Sequence, residues 1–110
     1  MNILKKADQI VNERSEEKER QYGNFIKCME RATRIYNSLT GADLSKNPSA
    51  CMTVKNMYIA MIAMKFAREI NSHKEDNLLD AAAYIGALNN YYIHEYNIHL
   101  DEQVRNSQKD

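Results

Sequence analysis

Residues 54–88 read VKNMYIAMIAMKFAREINSHKEDNLLDAAAYIGAL, and the fold is decided there. From Met57 to Met64 apolar side chains fall on nearly every side of a helix, the pattern of a central buried helix or of one sandwiched at a subunit contact. That run is far below the roughly 20 residues needed to cross a bilayer, so no transmembrane span is expected. Thr53 is placed to cap a helix over residues 54–70. Ser72-His73-Lys74-Glu75 then has the S-x-x-E spacing of a capping box, which starts a further helix with Asp76 in its first turn, where the helix dipole favours an anion. That helix is predicted over residues 72–100. Leu78, Leu79, Ala82, Ile85, Leu88 and Tyr92 make its buried arc, and Asp76, Asp80, Ala83, Ala87, Tyr91 and His94 lie opposite. So short a connection between two long helices predicts an antiparallel hairpin.

Working outward, residues 24–40 carry a heptad-like seam of Phe25, Met29, Ala32, Tyr36 and Leu39, closed by Gly41 as a C-terminal cap. Residues 42–52 hold the only proline and several polar turn formers, and read as a loop. Near the start, Ile3, Leu4, Ala7, Ile10 and Val11 share one helical face. The following NERSEEKERQ, residues 12–21, has no apolar position and reads as a solvated extension, as does the polar tail 101–110. Three glycines, one proline, no tryptophan and six methionines suit helices better than a sheet with tight turns. The expectation is one all-α domain over residues 1–110, a compact bundle of four main helices with a short hairpin between the third and fourth. A chain of 110 residues supports one modest core, so self-association into a homo-oligomer is expected to help it.

Fifteen basic and fifteen acidic side chains cancel. No global field is available to recruit a nucleic acid duplex or an acidic membrane, and neither is expected as a partner. Cys28 and Cys51 lack a C-x-x-C spacing, and the N-terminal stretch is charged and amphipathic, so reduced cytoplasm is the expected compartment. Neither cysteine has a histidine neighbour in sequence, and both are expected to be small buried side chains. His94 and His99 project about 140° apart on a helix and His73 falls in a turn, so the histidines make no compact metal set.

The hairpin brings Lys65, Arg68 and Glu69 near Asp76 and Asp80. Two readings follow. In one, Arg68 pairs with Asp76 or Asp80, and Lys65 with Glu69, as ion pairs at a bundle end. In the other, Ala83 and Ala87 leave space beside the carboxylates and Tyr84 and Tyr91 flank it. Lys65 and Arg68 then contact phosphate, Asp80 accepts from a base or sugar or holds a divalent cation, and a tyrosine stacks on the base. Glu69, Glu75, Asp76 and Asp80 are the carboxylates available for Mg²⁺. The segment NNYYIHEY, residues 89–96, reads as a subunit contact, since tyrosine is enriched at partly wet helix interfaces.

The stretches ILKKADQIV, RQYGNF, YIAMIAMKFAR and DNLLDAAAYIGAL together resemble a family of small phage- and prophage-borne all-α proteins of unknown function. The likeness runs from Ile3 to Leu88. Its most telling pieces are Tyr22-Gly23, Lys65 with Arg68, and Asp76 with Asp80 before Tyr84, which adds Tyr22 to the candidate ligand residues. The closing helix also resembles that of MazG-like all-α nucleotide pyrophosphohydrolases, where an E-x-x-D pair helps bind Mg²⁺; Asn77-x-x-Asp80 stands at that place. Those enzymes carry an E-E-x-x-E cluster on the preceding helix, whereas this chain has Lys65, Arg68 and only Glu69 there. The resemblance thus implies a phage accessory protein in the bacterial cytoplasm that binds a nucleotide without cleaving it, sequestering a host immune signalling nucleotide. The alternatives are a Mg²⁺-dependent pyrophosphohydrolase using Glu69, Asp76 and Asp80, and an inhibitor that binds a host protein through its methionine- and tyrosine-rich helices.

Overall fold

The computed structural model describes residues 2–13 and 24–108. Tyr22, the Tyr22-Gly23 turn, most of the charged extension after Asn12 and the last two residues lie outside them. The described residues form four α-helices, α1 (Ile3–Asn12), α2 (Phe25–Thr40), α3 (Val54–Asn71) and α4 (Glu75–Ser107), with two short 3-10 turns, Ala42–Leu44 and Pro48–Ala50, between α2 and α3. No strand occurs among the described residues. The all-α class and the α3–α4 hairpin stand as the sequence predicts.

Local chemistry explains the helix ends. The side chain of Asn24 accepts from the Lys27 amide and that of Thr53 from the Asn56 amide, each relieving an orphan N–H at a helix start. Gly41 ends α2 at φ 77°, a left-handed conformation that a Cβ would strain. The loop to α3 is tied back by Asn37, whose amide donates to the Met52 carbonyl at 3.0 Å while its oxygen accepts the Met52 N–H at 2.7 Å. The predicted capping box does not form. The first residue of α4 is Glu75 and no side chain caps Lys74 before it. Glu75 reaches instead to Lys6 on α1, 2.7 Å away. Farther along, Asn90 donates to Asn12, and these pairings climb both helices together, so α1 lies along α4 in the same direction.

The core is built around Tyr58 on α3, the one large side chain fully buried among the described residues. Its ring stacks on Phe25 of α2 at 6.2 Å, meets Tyr91 of α4 at 5.6 Å, and packs with buried Met29 and Ala87. This corrects part of the expected face of α4, of which Leu79, Ala82 and Leu88 remain half-buried and Leu88 packs on this cluster. Ala81, Ala83 and Ala87 are buried, whereas Leu78, Ile85 and Tyr92 are exposed. Both arcs of α4 are apolar enough to bury, so the choice falls to fit. Small alanines let α3 approach and give the Tyr58 ring its seat, where leucines would hold the helices apart.

On α3, too, Tyr58 alone is buried, while Ile59, Met64, Phe66 and Ile70 are exposed, the arrangement of a helix awaiting a second surface rather than a central one. In α1 Ala7 is buried and Leu4 lies outside. Cys28 is exposed, correcting the expectation of a buried thiol, and Cys51 is half-buried with its Sγ 3.4 Å from the Ala42 carbonyl. α4 runs seven residues past the expected end at Leu100, so the tail is helical to Ser107. At 1.5 Å per residue a helix of this length spans roughly 50 Å, and its second half projects beyond the bundle. The molecule measures 57 × 33 × 25 Å. Its radius of gyration of 16.9 Å exceeds the roughly 13 Å of a compact chain of this size.

The Tyr58 hydroxyl is buried without a hydrogen-bond partner among the described residues, and burial pushes its pKa up to about 12. An unsatisfied buried hydroxyl costs about 1–3 kcal/mol. Tyr58→Phe is therefore expected to leave stability to urea unchanged or raise it by about 1 kcal/mol, while Tyr58→Ala costs about 3–5 kcal/mol. A clear loss in the phenylalanine variant would show that the hydroxyl is satisfied.

Candidate functional site

The hairpin register assembles the site. Seven residues on from Tyr58 along α3 is Lys65, and seven back from its seat Ala87 on α4 is Asp80, two helical turns in each case. The Lys65 ammonium sits 3.1 Å from an Asp80 carboxylate oxygen. The lysine side chain is 15% exposed and the aspartate 41%, so the cation is tucked in while the carboxylate reaches solvent. Beside this pair lies a cleft of about 200 Å³ lined by Ile10, Phe25, Lys65, Asp80, Ala83 and Tyr84. Phe25 and Tyr84 meet edge to face at 5.6 Å and form its aromatic wall. Burial, and then the Asp80 charge, raises the Tyr84 pKa, keeping the phenol protonated at neutral pH.

One turn closer to the hairpin, Arg68 and Asn77 face a second, larger cleft of about 380 Å³, shared with Ala67, Asn71, Ser72 and Lys74. Arg68 and Lys74 give it two cations next to the start of α4, where the helix dipole adds positive potential. The five expected residues that are described thus divide. Lys65, Asp80 and Tyr84 share one cleft and Arg68 lines the other. Asp76 is exposed on the first turn of α4 and lines neither. The expected pairs Arg68–Asp76, Arg68–Asp80 and Lys65–Glu69 give way to Lys65–Asp80. Tyr91 is spent on Tyr58 and does not flank the cleft. Lys74 and Phe25 were not singled out as site residues in the sequence. A lysine directly before a helix start was the available signal for the first, whereas Phe25 enters only through the packing of α2.

Glu69 closes the hairpin. It accepts from His73 Nδ1, from the Lys74 backbone N–H at 3.0 Å and from the buried Asn77 amide at 3.4 Å. Asn77 also donates to the Ser72 carbonyl at 3.3 Å. Glu69 therefore ties down the turn in place of the expected Ser72 and Glu75 capping box. The alternative Mg²⁺ set of Glu69, Asp76 and Asp80 is not brought together, and among the described residues no three acidic, histidine or cysteine side chains are grouped to hold a metal. Of the other histidines, His99 bonds Gln103 on its own helix at 3.1 Å and His94 is exposed.

The His73 hydrogen bond, reinforced by the Lys74 amide and Asn77, holds the Glu69 carboxyl below its ordinary value against a small opposing effect of burial. A carboxylate with a lowered folded-state pKa contributes stability above its unfolded-state value and loses it as pH falls through the folded one. Glu69→Gln is expected to lower the melting temperature at neutral pH and to flatten its decline between about pH 5 and pH 3. An unchanged melting profile would show that Glu69 does not hold the hairpin.

Residues 2–92 match the model of the family described as Domain of unknown function (DUF6378). The match covers both clefts and stops where α4 leaves the bundle. No curated protein and no solved structure matches the chain.

Proposed function

The chain belongs to the DUF6378 family, and we propose that it binds a nucleotide, without cleaving it, at the turn end of the α3–α4 hairpin. The observation that carries the reading is the placing of a basic cleft and an aromatic, carboxylate-bearing cleft on successive turns of the same two helices. Ligand pockets usually enclose about 300–1,000 Å³. The 200 Å³ cleft alone suits one ring system, and the 380 Å³ cleft one turn along suits a phosphate group with its waters. In this reading the base lies against Phe25 and Tyr84 over Ala83, and Asp80 accepts a hydrogen bond from it while keeping Lys65. The Arg68 guanidinium, a planar fork matched to phosphate oxygens, and Lys74 take the phosphate.

Retention without cleavage follows from how the acids are used. Glu69 is consumed by the hairpin, Glu75 by Lys6 and Asp80 by Lys65. Asn77 donates hydrogen bonds where a metal ligand would have to accept. The pyrophosphohydrolase alternative would need those contacts broken before Mg²⁺ could bind. In the phage setting that the sequence resemblance implies, a binder of this kind would sequester a host signalling nucleotide.

Titration calorimetry against linear and cyclic nucleotides, with and without Mg²⁺, tests the proposal. At least one is expected to bind and to remain intact on recovery. Charge-assisted hydrogen bonds contribute about 1.5–3 kcal/mol each. Arg68→Ala and Lys74→Ala, both on exposed side chains, are therefore each expected to weaken binding about tenfold to a hundredfold with helix content unchanged. Absence of binding by every nucleotide removes the proposal. Release of pyrophosphate in Mg²⁺ removes its non-catalytic half.

A further inference from the structure

On α3, opposite the hairpin contacts, Ile59, Ala63, Phe66 and Ile70 recur at intervals of four, three and four residues. At 100° per residue they fall within about 60° of the helix circumference, the spacing of a coiled-coil seam. Among the described residues nothing covers them. Ile59 and Phe66 are each 46% exposed, Ile70 is 87% exposed, and Ala63 is exposed.

From this seam we infer that two copies of the chain pair through α3, antiparallel about a two-fold axis at Met64 and Lys65. Surface area argues that the seam is occupied. A folded monomer of 12.8 kDa exposes about 6,300 Å² by the usual scaling with mass, whereas this chain exposes 8325 Å². Part of the difference of roughly 2,000 Å² belongs to the projecting end of α4, and a standard interface buries roughly 800 Å² on each partner. The occupant follows from the seam itself. It carries no charge that would call for a complementary partner, and its residue sizes complement themselves when the helix is reversed. Antiparallel pairing sets Phe66 against the space above Ala63 of the partner subunit, and Ile59 against Ile70 of the partner subunit. Parallel pairing would set phenylalanine on phenylalanine and alanine on alanine, overfilling one layer and leaving a gap in the next. The apolar stripe on α4, with Leu78, Ile85, Tyr92 and Tyr96, is the competing surface. Asn89, His99 and Gln103 interrupt it, whereas no polar residue interrupts the α3 seam.

Sedimentation equilibrium of the full chain under reducing conditions tests the inference. The wild type is expected at about twice 12.8 kDa at tens of micromolar. Ala63→Lys and Phe66→Glu are each expected to abolish the dimer, and the double variant to restore it, because only antiparallel pairing sets each new lysine against a new glutamate of the other copy. Helix content by circular dichroism accompanies each measurement. Recovery in the double variant supports the pairing even if a single variant also loses helix. A monomeric wild type, a dimer that survives both single changes, or a double variant that stays monomeric overturns it.

Discussion

The seating of one tyrosine ring on an alanine face organises this molecule. Tyr58 is the large side chain buried most completely among the described residues, and Ala87 has the small volume that lets α4 close over it. Once that contact is made, the antiparallel register is fixed, and two turns along it Lys65 meets Asp80. One turn further, Arg68 and Asn77 border a common cleft. Register in a helical hairpin is thus set by core fit and read out as the arrangement of charge at its turn end. The same contact carries an orphan hydroxyl, a cost that the surrounding Phe25 and Tyr91 rings and the buried Met29 offset through packing.

Turning the alanines inward has a second consequence. Leucine, isoleucine and tyrosine side chains on the other arc of α4, and the whole outer seam of α3, are left in water. A single chain therefore folds around a small core and leaves many large apolar side chains exposed, the situation in which a helical protein gains from a partner. The two faces of α3 are then separate in their duties. One side sets the cleft-forming register against α4 and the other is free to pair.

The sequence carried the class, the helix count and most of the ends, because these follow from local chemistry: Asn24 and Thr53 as caps, Gly41 at positive φ, Pro48 in the loop. It also brought together Lys65, Asp80 and Tyr84, since a short hairpin leaves few ways to pair two helices. What it could not carry were choices between near-equal local options. Both arcs of α4 are apolar, and periodicity favours the one with bulkier residues although packing selects the smaller. Ser72 and Glu75 have the spacing of a capping box, yet Lys6 from α1 claims Glu75 across a long stretch of chain and Glu69 ties the turn through the Lys74 N–H. The end of α4 was misplaced because its polar final turns carry no apolar period to announce a helix.

The alanine-face packing of α4 is tested most directly by comparing Ala87→Leu with Ile85→Ser in urea unfolding. Overfilling the seat of Tyr58 is expected to cost about 1–3 kcal/mol, whereas the change at the exposed Ile85 should stay within about 0.5 kcal/mol of wild type. The reverse order, with Ile85→Ser the damaging change and Ala87→Leu tolerated, would show that α4 buries its leucine and isoleucine arc. That result would contradict the register on which the Lys65–Asp80 site is built.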